Sequence, residues 1–452
     1  MQRAQRERAE SAARQEAAQL TAQNVHGVAL TWVDNSGLTR VKAVPVSRLA
    51  HTARWGVGMS PVFDVYLTDD TSVMSPHIGG PDGDLRLFPD LDRLTLLAGQ
   101  PGWAWAPVDR YEQDGRPYAA CQRQFARRMT DRAAERGLRL SMGFETEWVV
   151  TRTGAPGPAP AYAGTGPAYG MARMVELSDY LRDLLETLAA QSVDVLQLHP
   201  EYSPGQFEVS VAPADPVGAA DLVVLVRETI RAVSARHGLD AGFAPVVEVG
   251  KVGNGAHLHL SLWEDGRNLC RGGDGPYGMT KVCESFLAGV LAELPALMLL
   301  GAPSPASHLR LEPSRWAGAF QCWGLENREA ALRFITGAPD HATGANAEVK
   351  CFDAAANPYL VTGAVTAAGL AGMDAALTLP PPVVGDPVTA TGQLRLPATP
   401  DEALEHFERS SLLRETLGEP LFQAILAVRR AEAEQYAGAA PQDIADAVLR
   451  RY

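Results

Sequence analysis

Five carboxylates and two histidines, placed in four separate segments, carry most of the chemistry available to this chain. They are Glu145 and Glu147 in GFETEW, Glu201 and Glu208 in HPEYSPGQFEVSV, His257 and His259 in GNGAHLHLSLW, and Glu348 in NAEVKCFD. Glu145 and Glu147 are two residues apart, as are His257 and His259, so on a strand both members of each pair leave the same face. Acids aimed together at one face of apolar, β-prone sequence require a cation to meet them. An oxygen-rich set of this kind suits a hard divalent ion, Mg²⁺ or Mn²⁺, better than zinc. It exceeds the needs of one ion, so two or three are expected, as where metals clamp a nucleotide's phosphates. Neither a Walker A loop nor a GxGxxG after a strand is present, so arginines such as Arg328 and Arg333 in NREAALRF would have to supply phosphate recognition.

The rest of the composition limits the partners. A net charge of −13 argues against nucleic acid or an anionic membrane as the main partner. The five cysteines (Cys121, Cys270, Cys283, Cys322 and Cys351) are odd in number and show no CxxC spacing, which fits free thiols in a reducing compartment. The first twenty residues are charged throughout and lack the apolar stretch of a signal peptide; they read as a frayed or solvated helix. The apolar run from Phe286 is broken by Glu293 and Pro295 and reads as a buried helix rather than a membrane span. A cytoplasmic protein is expected.

The elements that must position the acids alternate irregularly between strand and helix, an α+β pattern. VALTWVDNSGLTRVKAVPV predicts two strands around an Asn-Ser-Gly turn, and VFDVYLTDD and DLRLFPDLDRLTLL continue the β character. CQRQFARRMTDRAAERG predicts a helix ending at Gly137, and LRLSMGFETEWVV a strand. The Pro/Gly/Ala-rich stretch from Thr153 to Gly170 reads as a long loop. LSDYLRDLLETLAAQ and DPVGAADLVVLVRETIRAVSARHG predict two further helices, and residues from about 400 to 452 several more.

In order along the chain, VPVSRL, GDLRLFPD, GFETEW, GQFE, GAHLHLSLW, ENREAALRF, EVKCFD and ANPYL resemble the glutamine synthetase family over nearly the whole length. The resemblance implies a helical extension (1–23), a β-grasp-like N-terminal domain (24–115) and a larger α+β catalytic domain (116–452). It also implies assembly as a homo-oligomer of two stacked rings, often a dodecamer, with each active site between subunits. The reaction it implies is ATP-dependent γ-phosphorylation of glutamate followed by amine attack on the acyl phosphate. By position, Glu147, Glu201 and Glu208 match the ligands of one metal, and Glu145, His257 and Glu348 those of the metal bridging the ATP phosphates. His259 and Ser261 match nucleotide-binding positions. Arg328 and Arg333 match the arginines on the transferred phosphoryl group and ATP. Arg310 matches the binder of the glutamate α-carboxylate, and Gly253 and Gly255 the turn beside glutamate.

The departures from the family pattern concern the nitrogen donor. Ser60, in GVGMSPVFD, stands where ammonia-using members carry an aspartate, with Asp64 four residues on as a possible substitute. Trp316, in RLEPSRWAGAF, occupies the place of the flap glutamate, with Glu312 nearby. Removing both acids removes the charge that attracts and deprotonates NH₄⁺, while an indole face suits a cation bearing a carbon chain. Lys350 and Asn346 replace arginines, and Val252 stands where an asparagine usually precedes the glycine turn. These departures resemble the γ-glutamylpolyamine and γ-glutamylethanolamide synthetases. The expected activity is ligation of glutamate to an organic primary amine, with a lean towards a small monoamine. An ammonia-using glutamine synthetase and a catalytically silent homologue are the alternatives.

Overall fold

The computed structural model describes residues 3–154, 160–339 and 342–452. Two sheets organise the chain. The N-terminal sheet contains β1 (Gly27–Val33), β2 (Thr39–Pro45), β3 (Val57–Met59), β4 (Leu85–Pro89), β5 (Thr95–Leu96) and β6 (Trp103–Glu112). Its order is β2-β1-β6-β4-β3, with β5 on β6; β1 and β2 form the expected hairpin, and β1 runs parallel to β6. The second sheet contains β7 (Arg139–Arg152), β8 (Val195–Pro200), β9 (Gln206–Val211), β10 (Leu239–Gly242), β11 (Leu258–Glu264), β12 (Arg267–Asn268), β13 (Phe320–Leu325), β14 (Ala330–Ile335) and β15 (Asn346–Val349). Its order is β13-β14-β15-β11-β7-β9-β8, with β10 on the far end of β7.

The helices are α1 (Arg3–Ala22), α2 (Leu49–Trp55), α3 (Gln122–Ala134), α4 (Met171–Glu176), α5 (Ser178–Ala190), α6 (Pro216–Arg236), α7 (Lys281–Gly301), α8 (Pro305–Arg310) and α9 (Pro358–Asp374), then α10 (Pro400–Arg409), α11 (Ser411–Leu417), α12 (Glu419–Gln435) and α13 (Pro441–Val448). Burial explains α7. It is long and apolar enough to cross a membrane, yet most of its side chains are inside the protein. Its one mid-helix acid, Glu293, accepts a hydrogen bond from Ser410. It lies so close to α9 that a Cβ at Gly289 would sit 2.3 Å from the Ala368 carbonyl oxygen.

The ANPYL motif joins the two sheets. Asn357 caps α9 by accepting from the Tyr359 and Leu360 N–H groups, and its Nδ2 donates to the carbonyls of Val33 and Asp34 at the end of β1. An amide that serves both ends in this way is fully buried and leaves no polar group unmet.

Two expectations change. VFDVYLTDD is not a strand: Pro61–Val65 form a 3₁₀ turn, with the Ser60 hydroxyl accepting from the Val62 N–H and proline at its first position. The N-terminal segment is not a frayed helix. α1 buries Ala13 and Leu20, and Glu10 pairs with Arg54 of α2 at 2.5 Å. The expected loop from Thr153 to Gly170 holds among the described residues, with a single bridge from Tyr162 to Thr151; residues 155–159 of it lie outside the described residues.

Candidate active site

Strand register brings the predicted residues together, with His199, across six strands. On one side Arg333 of β14 faces Glu348 of β15, which faces His259 of β11. On the other side Glu147 of β7 faces Glu208 of β9, which faces His199 of β8. β7 and β11 are the antiparallel pair between them, and the Glu145 N–H bonds the His257 carbonyl at 3.0 Å. Period-two alternation then turns Glu145, Glu147, His257 and His259 towards the same space.

The row forms the wall of a cavity of about 880 Å³. Glu145, Glu147, Glu201, Glu208, His257, Arg310, Trp316, Arg328, Arg333, Lys350 and Gly253 line it. His259 and Glu348, although in the row, do not line the cavity, and neither do Ser261 and Gly255. Ser60, in the N-terminal sheet region, does not reach it within the chain. Gly255 has its own reason to be glycine, because a Cβ there would sit 2.4 Å from His257 Nε2 and 3.0 Å from Glu147 Oε1. Ser261 accepts a hydrogen bond from the Trp263 indole at 2.9 Å, and Asn346 meets His259 Nδ1 at 2.9 Å.

Electrostatically the site has two halves. In the first, Glu145 lies 3.0 Å from both His257 Nδ1 and His259 Nε2. Glu348 lies 2.9 Å from Lys350 Nζ, 3.2 Å from Arg333 and 3.4 Å from His257. Burial pushes both carboxyls upwards, but these cations win: Glu145 is held well below its ordinary value and Glu348 falls to about 2. Burial also opposes charge on His259, yet Glu145 and Glu348 raise it to about 9. In the second half, burial and the neighbouring charges of Glu208 and Glu201 push Glu147 well above the usual carboxylate range. Glu208 is raised by burial and by Glu145 and Glu201. Here His199 lies between Glu208 (3.3 Å) and Glu201 (3.5 Å), and its bond to Glu208 lifts it to about 9.

The donor sets fit hard divalent ions. Among the described residues, three groupings have ligand atoms within 4.8 Å of one another: Glu145, His259 and Glu348; Glu145, Glu208 and His257; His199, Glu201 and Glu208. They cut across the two ligand sets the resemblance implies, bringing in His199 and His259.

Several residues escaped the sequence reading. His199 sits two residues before Glu201 in the same motif. Gln206, the glutamine of GQFE, donates to Glu147 Oε2 at 2.9 Å and to the Gly253 carbonyl at 3.0 Å, fixing the carboxylate against the glycine turn. Asn254 is buried and holds that turn through the Ala244 carbonyl. Tyr169 donates to Glu201 Oε2 at 2.8 Å, from a loop that carries no sequence signal. Glu329 accepts from the Trp316 N–H at 2.6 Å and so positions the flap, its other carboxyl oxygen buried without a partner.

The proposed rescue of the lost ammonium-site acid fails. Asp64 is fully buried and takes both oxygens to Arg110 at 2.8 Å, with Tyr118 and Gln122 completing its bonds. An acid so committed holds the N-terminal sheet to α3 and faces no substrate. Trp316 is half exposed at φ 56° and meets Tyr202 edge-on at 5.6 Å, giving the cavity an aromatic wall beside Glu312.

Residues 119–446 match the catalytic domain of glutamine synthetase. The chain belongs to the glutamine synthetase family. The gamma-glutamylpolyamine synthetase GlnA3 of Streptomyces coelicolor is 56% identical to it, over 96% of this chain and 95% of that protein. The glutamine synthetase of Pyrococcus abyssi is 28% identical, over 90% of each. Among solved structures, a novel glutamine synthase homolog superposes with TM-score 0.85 at 33% identity, covering 95% of this chain and 99% of that one. A GmaS/ADP complex superposes with TM-score 0.82 at 26% identity, covering 94% and 96%. As a glutamine synthetase homologue, the chain combines an N-terminal sheet domain with a larger catalytic domain built on the second sheet.

Proposed function

We propose that this protein is an ATP-dependent ligase that joins the γ-carboxylate of glutamate to a primary amine of a polyamine. Family membership supports the first half of the reaction: the ATP γ-phosphoryl group passes to the glutamate γ-carboxylate, and ADP leaves. Arg328, which makes no ion pair among the described residues, and Arg333 are placed to neutralise the transferred group. Arg310, held by its Nη2 on the Lys350 and Phe352 carbonyls and by Asp353 at 4.0 Å, lines the cavity as the candidate for the α-carboxylate, with Lys350 beside it. Divalent ions held by Glu145, Glu147, Glu201, Glu208, His257 and Glu348 would supply positive charge opposite the phosphates and the acyl oxygen. The amine nitrogen then attacks the acyl carbon, phosphate leaves, and a carboxylate takes the proton; Glu312 on the cavity wall is the candidate base. Ser60 enters only if a neighbouring subunit's N-terminal domain closes the cavity, as a ring assembly would require.

The observation that carries the choice of amine is the wall at Trp316. The sequence reading favours a small monoamine because the two ammonium-site acids are gone. Folding puts other acids behind Trp316: a groove of about 650 Å³ that shares Trp316 and Arg328 with the cavity is lined by Glu326, Glu329 and Asp386. An aromatic face for the chain and carboxylates beyond it suit a second ammonium group. The identity to a γ-glutamylpolyamine synthetase, twice that to the Pyrococcus enzyme, supports the same choice.

The test is phosphate release from ATP with Mg²⁺ and glutamate, offering putrescine, spermidine, ethanolamine and ammonium separately, with mass detection of products. Turnover with putrescine or spermidine well above ammonium is expected. Turnover with ethanolamine alone would retain the ligase and discard the polyamine. Turnover with ammonium alone would make this a glutamine synthetase with a rearranged site, and none with any amine would favour a silent homologue.

A further inference from the structure

A second cavity, about 830 Å³, shares no lining residue with the first. It lies further along the same face of β7, where Val149 and Thr151 continue the alternation begun by Glu145 and Glu147. Its volume is that of a small-molecule site. Six arginines line it against three acidic side chains, Asp70, Glu228 and Asp240.

Two of those arginines are unsatisfied. Arg227, on α6, is 4% exposed, and among the described residues its guanidinium has no hydrogen bond or ion pair; its Nε is buried without an acceptor. It rests on the Phe243 ring at 5.1 Å. Burial, helped by the neighbouring charge of Arg231 and only partly offset by Glu228, drives its pKa down to about 10. Arg40 crosses from β2: Asp34 and Asp70 hold its Nε and Nη1, but its Nη2 is also buried without an acceptor. A buried, unpaired guanidinium is costly to keep charged. Two such donor groups on one cavity mark a place where an acceptor belongs. The planar forks of arginine match the paired oxygens of a carboxylate or phosphate.

We propose that this second cavity is a binding site for a small oxyanion ligand, a phosphorylated or polycarboxylate metabolite, held by Arg227 and Arg40 and separate from the catalytic cavity. The rim arginine Arg152 is exposed and adds attraction without being part of the buried core of the site.

The test is calorimetric titration of the full-length assembly with inorganic phosphate and, separately, citrate. Mg²⁺ and a non-hydrolysable ATP analogue are kept saturating so that the catalytic cavity is filled. Saturable binding is expected, weakened at least tenfold by Arg227→Met, which keeps the apolar stem over Phe243, and at least threefold by Arg152→Glu. Assembly size checks folding, and Arg152→Glu decides the matter if Arg227→Met does not fold. Tighter phosphate than citrate would make the ligand phosphorylated, and the reverse a polycarboxylate; either supports the site. No saturable binding, or binding that neither substitution weakens, would overturn it.

Discussion

The two halves of the catalytic site are buried to a similar degree but are electrostatically opposite. Around Glu145 and Glu348 the protein supplies its own cations, His259, Lys350 and Arg333 (the last shared with Glu326), while burial and Lys350 lower the pKa of His257, which meets Glu145 as an imidazole. Around Glu147, Glu201 and Glu208 the described residues supply less: His199 at 3.3 and 3.5 Å, with His257 3.7 Å from Glu147 and Arg310 further off. The consequence is written in the pKa values, lowered in the first half and raised in the second. The first half is charge-balanced before any ion arrives and doubles as a structural tie between β14, β15, β11 and β7. The second carries an unmet demand for positive charge, and a divalent ion satisfies it.

The sharpest way to break this comparison is to neutralise one carboxylate in each half. Both Glu348→Gln and Glu147→Gln should reduce turnover by on the order of a thousandfold, since each removes a ligand position. Their effects on stability in metal-free buffer should differ in sign. Glu348→Gln strands the ammonium of Lys350, 3% exposed, and should cost about 3–5 kcal/mol in urea denaturation. Glu147→Gln relieves like-charge crowding and should leave stability unchanged or raise it by about 1 kcal/mol. Equal destabilisation by the two would show that the halves are electrostatically alike after all.

A finer probe is Gln206, whose amide steers Glu147. Gln206→Leu leaves every carboxylate in place but frees one of them. Mn²⁺ affinity, read from thermal stabilisation on titration, should fall about 10–100-fold while metal-free stability changes little by comparison. A fall in turnover with Mn²⁺ affinity intact would make Gln206 a substrate-side residue instead. Smaller again is the effect of the flap. Trp316→Ala removes the aromatic wall but no charge, and should lower kcat/KM for a diamine by about tenfold while leaving the metal titration untouched. Equal losses with ammonium and diamine would mean that the indole only packs the flap.

How far the site could be read in advance follows from the same geometry. Residues that act from regular strands at spacing two (Glu145, Glu147, His257, His259) were legible because alternation fixes their face. Glu348 was legible only through its motif and the family resemblance, because no spacing in the sequence shows that β15 opposes β11. Residues that act from turns were not: no periodicity points Tyr169 at Glu201 or Glu329 at the flap. Asp64 misled for a related reason. Its place near the missing acid is a matter of four residues, but the 3₁₀ turn capped by Ser60 rotates it inward to Arg110. The hairpin of β1 and β2 and the helices α3 and α6 followed from turn and cap residues. The long β6 went unrecognised because WAWAPVDRYE mixes alanine and proline into its alternation.

The mildest prediction separates the site's titrations from those of the scaffold. His308 on α8 is buried and belongs to none of the ligand groupings; among the described residues the Pro397 carbonyl, 3.3 Å from Nδ1, is its hydrogen-bond partner. Burial lowers its pKa to about 4, against 6.5 in an unfolded chain. As pH falls below 6.5 the unfolded chain therefore takes up a proton that the folded chain refuses. Stability is full above 6.5 and is lost as pH falls towards 4, by about 1 kcal/mol between pH 6.5 and 5.5. Gln can still donate to Pro397 but does not titrate, so His308→Gln should flatten the urea-denaturation profile over that interval in both metal-free and Mn²⁺-loaded protein. The carboxylate crowding in the second half predicts the opposite dependence on metal: its share of the pH response should vanish once Mn²⁺ is bound. A profile that flattens with Mn²⁺ but ignores His308→Gln would place the whole acid response in the site, and the contrast between its halves would then govern stability as well as chemistry.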